Sequence, residues 1–490
     1  MFGFSEAAHY GQARELLQRV GYSEAGIART LGREQILTMP SSDVPRIVQR
    51  TRALTPLDAL VRLLFLGLPV PQSAVRRALH PMPLELWVRA HLLAPPDGED
   101  QVSPQVQIWP VCGLLMAVDL PWRQPTAPAE DFVVPPGPLT VQLAYAMLHR
   151  PCARMLDLGT GSGMLALAAA ADAGTVVATD TNPRALAFTQ LNARLNQIEN
   201  VQCLAGDLFD PVADRKFQWI VCNPPFVISP TRRYLFRDSG QRGDEFCRRL
   251  IAAAVEHLEP GGFLQCTANV AHQTGRSWKA DLEAWFDGLG CEVLVLVERT
   301  EDASDYAMNW ILGTETKDQA LAGQRYRVWT EYLEREGIEA VSYLLITLRR
   351  SAGGTGWIQI DDPPCQIVGP CGDELLQFFE WRTALSDPAR IGDFWNRRLR
   401  WAPGIRLEQE YQMTADGLTL EHVRVKKTGG LRYPLAIHAN VARLLAGCDG
   451  SHTLRELVED LSQRLGANLD QTVAVALPVI RMLLERAVLV

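Results

Sequence analysis

The 490-residue sequence has no CxxC cysteine pairs, no long apolar run and no excess of positive charge. Its ten cysteines are scattered. The nearest two, Cys365 and Cys371, have no second pair with which to complete a zinc site. Reduced thiols in a cytoplasmic protein are therefore expected, and no metal. The apolar stretch from Leu57 to Val70 is too short to cross a bilayer and contains Asp58 and Arg62. The opening residues, Met1 to Tyr10, lack a basic segment followed by an apolar one, so no signal peptide is expected. Lysine and arginine number 48 against 56 aspartate and glutamate, a net charge of -8. That balance argues against wholesale nucleic-acid binding but leaves room for a local basic patch. Internal repeats and low-complexity tracts are also missing.

With 47% hydrophobic and 21% charged residues the composition is that of a globular protein, and the length suggests about three domains. Residues 1–130 read as short helices, with Ser23 as an N-cap and Thr55-Pro56 opening another helix. The extended stretch Gln105 to Trp109 that follows gives this part a winged-helix-like pattern. The proline-rich segment 121–138 reads as a linker or a strap over the next domain. Residues 131–350 alternate strands with helices, which implies a doubly wound, mostly parallel α/β sheet. Within them, Pro260-Gly261-Gly262 is expected to end a helix and Phe263 to Thr267 to form a strand. Residues 351–490 end in a trihelical unit, winged-helix-like or similar to small peptide-binding domains of the PqqD type. An apolar helix is expected over Leu435 to Leu445, a capping box at Thr453 and Glu456, and a last helix capped by Asp470.

The chemistry is concentrated at the ends of the predicted strands. Phe217 to Cys222 reads as a buried strand, and Asn223-Pro224-Pro225-Phe226 follows it. Two prolines cannot continue a central ladder, so the strand stops and the backbone is held rigid. The turn presents a carboxamide, a proline carbonyl and an aromatic face, a set that suits a planar substrate carrying an NH2 group. Asp157-Leu158-Gly159-Thr160-Gly161-Ser162-Gly163 lies between the first strand and helix of the same region. Its spacing is GxGxG rather than the GxGxxG of pyrophosphate binding. A carboxylate at Asp157 suits an ammonium or sulfonium group and would repel a pyrophosphate, which argues for S-adenosylmethionine over NAD. Asp180 ends the second strand, where an acid can chelate ribose hydroxyls. Asp207, followed by Leu208, ends the third and can accept a hydrogen bond from an adenine amino group.

These four features resemble the class I S-adenosylmethionine-dependent methyltransferases, over roughly residues 131–350. The resemblance implies a seven-stranded methyltransferase sheet. It assigns cofactor contacts to Thr140, Asp157, Gly159, Thr160, Gly161, Gly163, Asp180, Asn182, Asp207, Leu208 and Asn223, and catalysis to Asn223, Pro224, Pro225 and Phe226. Within the class, the (N/D)PP(Y/F) signature marks amino-group methylation. Pro138-Leu139-Thr140 is similar to the segment that covers the cofactor in HemK/PrmC-like N5-glutamine methyltransferases. The sequence departs from that branch at Val141 and Phe226, and from the guanine-N2 enzymes at Val227-Ile228, so the branch stays open and N6-adenine and guanine-N2 enzymes remain alternatives. The expected partner is a macromolecular substrate, either a protein or peptide or else RNA or DNA, with no membrane association; the sequence does not fix the oligomeric state. Arg232, Arg233, Arg237, Arg242, Arg248 and Arg249 follow the motif and read either as a docking loop for an acidic or phosphate group or as a solvated loop paired with Asp238, Asp244 and Glu245. His149, His257 and His272 read as structural. A third reading, a nucleic-acid-binding regulator with a vestigial cofactor fold, is opposed by the intact Asp157, Asp180 and Asn223.

Overall fold

The computed structural model describes residues 2–34, 36–37, 41–120, 131–353, 356–362, 365–386, 393–414 and 417–490. The chain divides into two compact units. The first comprises 1–144, 150–295 and 299–360, and the second 145–149, 296–298 and 361–490. Among the described residues no helix is long and apolar enough to cross a membrane.

The first unit is built on a sheet whose strands are β1 (Cys152–Leu158), β2 (Ala173–Asp180), β3 (Val201–Ala205), β4 (Phe217–Cys222), β5 (Leu258–Gln273), β6 (Cys291–Asp302), β7 (Ile338–Arg350) and β8 (Trp357–Asp361). Their order is β8-β6-β7-β5-β4-β1-β2-β3. Strands β3, β2, β1, β4 and β5 run parallel, and β7 is antiparallel to β5. The sheet has eight strands, not the seven expected. After the glycine-rich break the chain returns as Trp357-Ile358-Gln359-Ile360-Asp361 and adds to the edge beside β6. The order reverses between β1 and β4. In doubly wound sheets that reversal opens a crevice at the carboxyl ends of the strands.

Pro260-Gly261-Gly262 does not sit where expected. The helix Glu245–Glu256 has already ended, and the three residues lie inside β5. They form an irregularity where the pairing with β4 jumps from Phe217↔Leu258 to Trp219↔Phe263. A side chain at Gly262 would stand 2.9 Å from the Glu259 carbonyl and 3.1 Å from those of Phe217 and Gln218, so only glycine fits this crossing.

The N-terminal helices keep no core to themselves. Tyr10, Leu17, Trp87 and their neighbours share one buried cluster with Phe188, Leu191 and Leu195 of the helix Pro183–Leu195. That helix also receives the hairpin Gln107–Val111/Leu114–Val118 through two carboxamides. Asn196 accepts from the Leu115 N–H (3.0 Å) and donates to the Leu115 carbonyl (2.8 Å), and Asn192 does the same at Ala117 (2.7 and 3.0 Å). The two side chains satisfy a strand edge that no neighbouring strand covers among the described residues, each buried bond contributing about 1 kcal/mol net. Asp119, fully buried, pairs with Arg184 at 2.5 Å. Ser23 and Thr55 cap their helices as expected, Thr55 within a capping box with Asp58.

In the second unit Gln366–Val368 pairs with Gly430–Arg432, and Ile405–Thr414, Gly417–Lys427 and Leu435–Ile437 form a three-stranded sheet. The helices Ala439–Ala446, Leu454–Leu465 and Leu469–Glu485 follow. The capping box at Thr453 and Glu456 is present. Leu435 to Ile437 is strand rather than helix, because these residues pair with Val423 to Val425. The last helix is capped by Asn468, whose side chain accepts from Asp470 N and Gln471 N. Asp470 sits in its first turn.

Candidate functional site

A cavity of about 480 Å³ opens at the carboxyl ends of β1 to β4. Its first half is the glycine loop. Gly159 and Gly161 have φ of 71° and 55°, and nothing lies within 4 Å of where a side chain would stand. Their backbone can therefore approach a ligand closely. Gly163 does a different job. A side chain there would stand 2.8 Å from Thr189, so this glycine lets the loop pack on the helix Pro183–Leu195. Asn192 of the same helix also donates to the Ser162 carbonyl at 2.8 Å, fixing the loop from behind.

Asp157 lies beneath the loop and is not part of the cavity wall. One carboxylate oxygen accepts from Thr160 Oγ1 at 2.7 Å and from Ala166 N at 2.9 Å, whereas the other is buried without a partner. Burial pushes this carboxyl up to about 7, against the hydrogen bonds from Thr160 and Ala166 that lower it. Asp180 does line the cavity. Its oxygens accept from Gly161 N (2.9 Å) and Asn182 N (2.8 Å), which orients the carboxylate, and burial raises its pKa. Asn182 caps the helix at Arg184 N and donates to the Asp131 carbonyl. Asp207 and Leu208 line the next stretch of wall, Leu208 with a φ of 44°.

The second half begins at Asn223, which directly follows β4. Its Nδ2 donates to Thr140 Oγ1 at 2.9 Å, and its Oδ1 accepts from Thr267 Oγ1 at 2.5 Å. The carboxamide is thereby held in one orientation from two sides. Thr140, Asn223, Pro224 and Pro225 all line the cavity. Phe226 does not. It is 9% exposed, because the chain beyond Pro225 turns inward: Val227 N donates to the Arg237 carbonyl and Ile228 N to Tyr306 Oη at 2.8 Å. The expected stacking surface is thus not Phe226. The aromatic rings in the wall are Phe132, Phe236 and Phe246, with Phe132 and Phe236 6.4 Å apart. Residues 132–136 belong to the proline-rich segment and form part of the wall; 121–130 lie outside the described residues.

Thr267 and the three rings were not found by sequence reasoning. Thr267, 3% exposed, carried little signal, because Gln265 and Asn269 are buried polar residues of the same strand. The rings carried none. Among the arginines after the motif, Arg237 is not available for docking. It is 1% exposed, paired with Asp238 and Glu315 at 2.7 and 3.1 Å, and lies 4.6 Å from the Tyr234 ring centre. Asp238 in turn accepts from Ser229, Thr231 and the Arg233 and Tyr234 N–H groups. This buried knot fixes the loop beside the motif. His257 and His272 hydrogen-bond to Arg215 O and Ser342 Oγ, outside the wall. Among the described residues no group of three or more histidine, cysteine, aspartate or glutamate side chains could hold a metal, and none of the ten cysteines is in a disulfide.

Residues 140–289 match the family model of the methyltransferase small domain. Residues 19–105 and 376–490 match two models, each described as a domain of unknown function. The release factor glutamine methyltransferase of Geobacter sulfurreducens is 36% identical over 154 residues, 27% of this chain and 54% of that relative. That of Escherichia coli is 38% identical over 111 residues, 22% of this chain and 40% of the relative. The ribosomal protein uL3 glutamine methyltransferase of Bradyrhizobium diazoefficiens is 37% identical over 138 residues, 25% of this chain and 43% of the relative. The chain therefore spans about half the length of the curated relatives it matches. The matched segment is a methyltransferase small domain with distant homology to release factor glutamine methyltransferases, and this family implies S-adenosylmethionine as methyl donor. The residues present fit that group: open space over Gly159 and Gly161, and carboxylates at Asp180 and Asp207 along one wall.

Proposed function

We propose that this chain is an S-adenosylmethionine-dependent N-methyltransferase whose acceptor is the side-chain amide of a glutamine in a protein or peptide. The observation that carries the reading is the Asn223 carboxamide, held by Thr140 and Thr267 at the end of a cavity that begins at the glycine loop. The relatives' glutamine acceptors support the choice of amide. When bound, S-adenosylmethionine supplies an electrophilic methyl group at its sulfonium. Gly159, Thr160 and Gly161 would hold its amino-acid end, with Asp157 beneath and Gly163 setting the loop. Asp180 and Asn182 would hold the ribose, and Asp207 and Leu208 the adenine.

An amide nitrogen is a poor nucleophile because its lone pair is delocalised. Thr267 occupies one lone pair of Asn223 Oδ1. The other, together with the Pro224 carbonyl, can accept the two N–H groups of the acceptor amide. Held this way, the nitrogen is aimed along one direction, and orientation of this kind can supply about 7–11 kcal/mol. The same two oxygens favour the positive charge that grows on nitrogen. Pro225 keeps the carbonyl direction fixed, and Phe132, Phe236 and Phe246 exclude water. The flanking parts, 1–130 and the portion of 351–490 that follows the eighth strand, are read as winged-helix-like modules, supported by the short helices and hairpin of the first and the three closing helices of the second.

The test is incubation of the protein with methyl-labelled S-adenosylmethionine and a cell extract, with and without nuclease. The expected product, after digestion of the protein fraction, is labelled N5-methylglutamine. Label in methylated guanine or adenine, lost on nuclease treatment, would contradict this acceptor and favour the nucleic-acid alternative.

A further inference from the structure

A second cavity, of about 650 Å³, lies across the segment 239–249 from the first and shares Ser239, Gln241 and Arg249 with it. Four arginines line it, Arg232, Arg242, Arg249 and Arg335, against two glutamates, Glu245 and Glu336. Glu336 is nearly buried and is taken by Arg242 and Arg335. The aliphatic stem of Arg232 lies over Gly240, where a side chain would stand 2.6 Å from its Cδ. Gly240 has a φ of 69°. The glycine thus leaves room for the guanidinium to lie along the cavity wall. Among the described residues Arg232 pairs with no carboxylate. Arg249 donates to Gln241 Oε1 at 3.2 Å and likewise meets no acid. Two guanidinium groups therefore face this open cavity without a carboxylate partner among the described residues, one of them on the wall shared with the cavity that holds Asn223.

We infer that this cavity receives an acidic side chain of the peptide that carries the acceptor glutamine. The inference rests on the methyltransferase reading above and deepens it by naming what lies next to the methylated residue. An acceptor glutamine reaching Asn223 leaves its neighbours beside Ser239, Gln241 and Arg249, and a carboxylate there meets the two unpaired guanidinium groups, a pairing that planar arginine favours. A nucleic-acid strand is the poorer fit. A phosphate backbone is held by an array of cations. Here two arginines are unpaired among the described residues, enough for one carboxylate and too few for such an array.

The experiment measures binding to the full chain by fluorescence anisotropy. The probe is a short labelled peptide with one glutamine flanked by glutamates. The controls are the same peptide with alanines in place of the glutamates, and a single-stranded oligouridylate of equal length. The acidic peptide should bind about five- to tenfold more tightly than the neutral one, as expected for exposed ion pairs. Arg232→Gln and Arg249→Gln should each reduce that preference, and Arg232→Lys should keep most of it. Arg232→Gln should bind S-adenosylmethionine like the wild type in calorimetry, which shows that the variant is folded. Equal binding of the acidic and neutral peptides, or tighter binding of the oligouridylate, overturns the inference. A wild type that binds no S-adenosylmethionine would overturn the methyltransferase reading instead, and the peptide preference would still decide the cavity.

Discussion

The two halves of the first cavity are assembled in different ways. The glycine-loop half comes from the ends of three strands adjacent in the sheet, and its parts hold one another: Asp157 holds Thr160, Asp180 holds Gly161, and Asn192 holds Ser162. The Asn223 half is gathered from distant segments. Thr140 lies 83 residues away in sequence and Thr267 44. Tyr306, from a helix 78 residues downstream of Ile228, holds the backbone just past the motif. The first half is a local device that a short stretch of sequence can specify. The second depends on the register of β5 against β4 and on the buried knot around Arg237, so its accuracy is a property of the whole unit.

If the halves are separable, variants should sort by half. Asn223→Ala should show the largest effect, a loss of turnover of about 10²–10³-fold, the scale on which removing one transition-state hydrogen-bonding group acts. Retention of activity within about tenfold would merge the halves and remove the role given to Asn223. Asp180→Ala should come next. Losing a charge-assisted contact should raise the Kd for S-adenosylmethionine by roughly 10–100-fold, while turnover at saturating cofactor stays close to the wild type. Thr267→Val sharpens the comparison further. It removes a donor to Asn223 without touching the glycine loop and should lower kcat by about tenfold with cofactor affinity unchanged. Thr267→Ser should restore it, whereas a loss of stability without a kcat effect would make Thr267 structural only.

The smallest effect is a pH dependence of stability. The carboxyl of Asp157 keeps its proton in the folded protein up to about 7 but loses it near 3.8 when unfolded. The folded state therefore binds more protons across that window, and stability falls as pH rises through it. Asp180 and Asp244, both raised by burial, act in the same direction. Urea midpoints between pH 4 and 8 should decline in the wild type and decline less in Asp157→Asn. Equal slopes would mean that Asp157 is ionised in the fold.

What could be read from the sequence follows the same division. The Asp157 to Gly163 loop, Asp180 and the double proline were legible because each imposes a local constraint: a left-handed glycine, a carboxylate at a strand end, a missing N–H. The helix caps at Ser23, Thr55 and Thr453 were legible for the same reason. Thr267, Phe132, Phe236 and Phe246 were not, because only tertiary register brings them to the wall. Phe226 was misplaced because motif adjacency says nothing of which way the chain turns after Pro225. Pro260-Gly261-Gly262 carries the residues of a helix stop and serves instead as a bulge in β5. Leu435 to Ile437 is a short apolar run, and periodicity cannot separate strand from helix over that length. The eighth strand follows a glycine-rich break that reads as the end of the sheet.

The central claim is that Asn223 serves the acceptor and not the donor. Calorimetric titration of S-adenosylmethionine into the Asn223→Ala protein tests it most directly. The account predicts a Kd within about threefold of the wild type, since a change below about 1 kcal/mol is all that a neutral contact at the edge of the donor site would cost. A loss of cofactor affinity as large as that of Asp180→Ala would contradict it and make Asn223 part of the donor half.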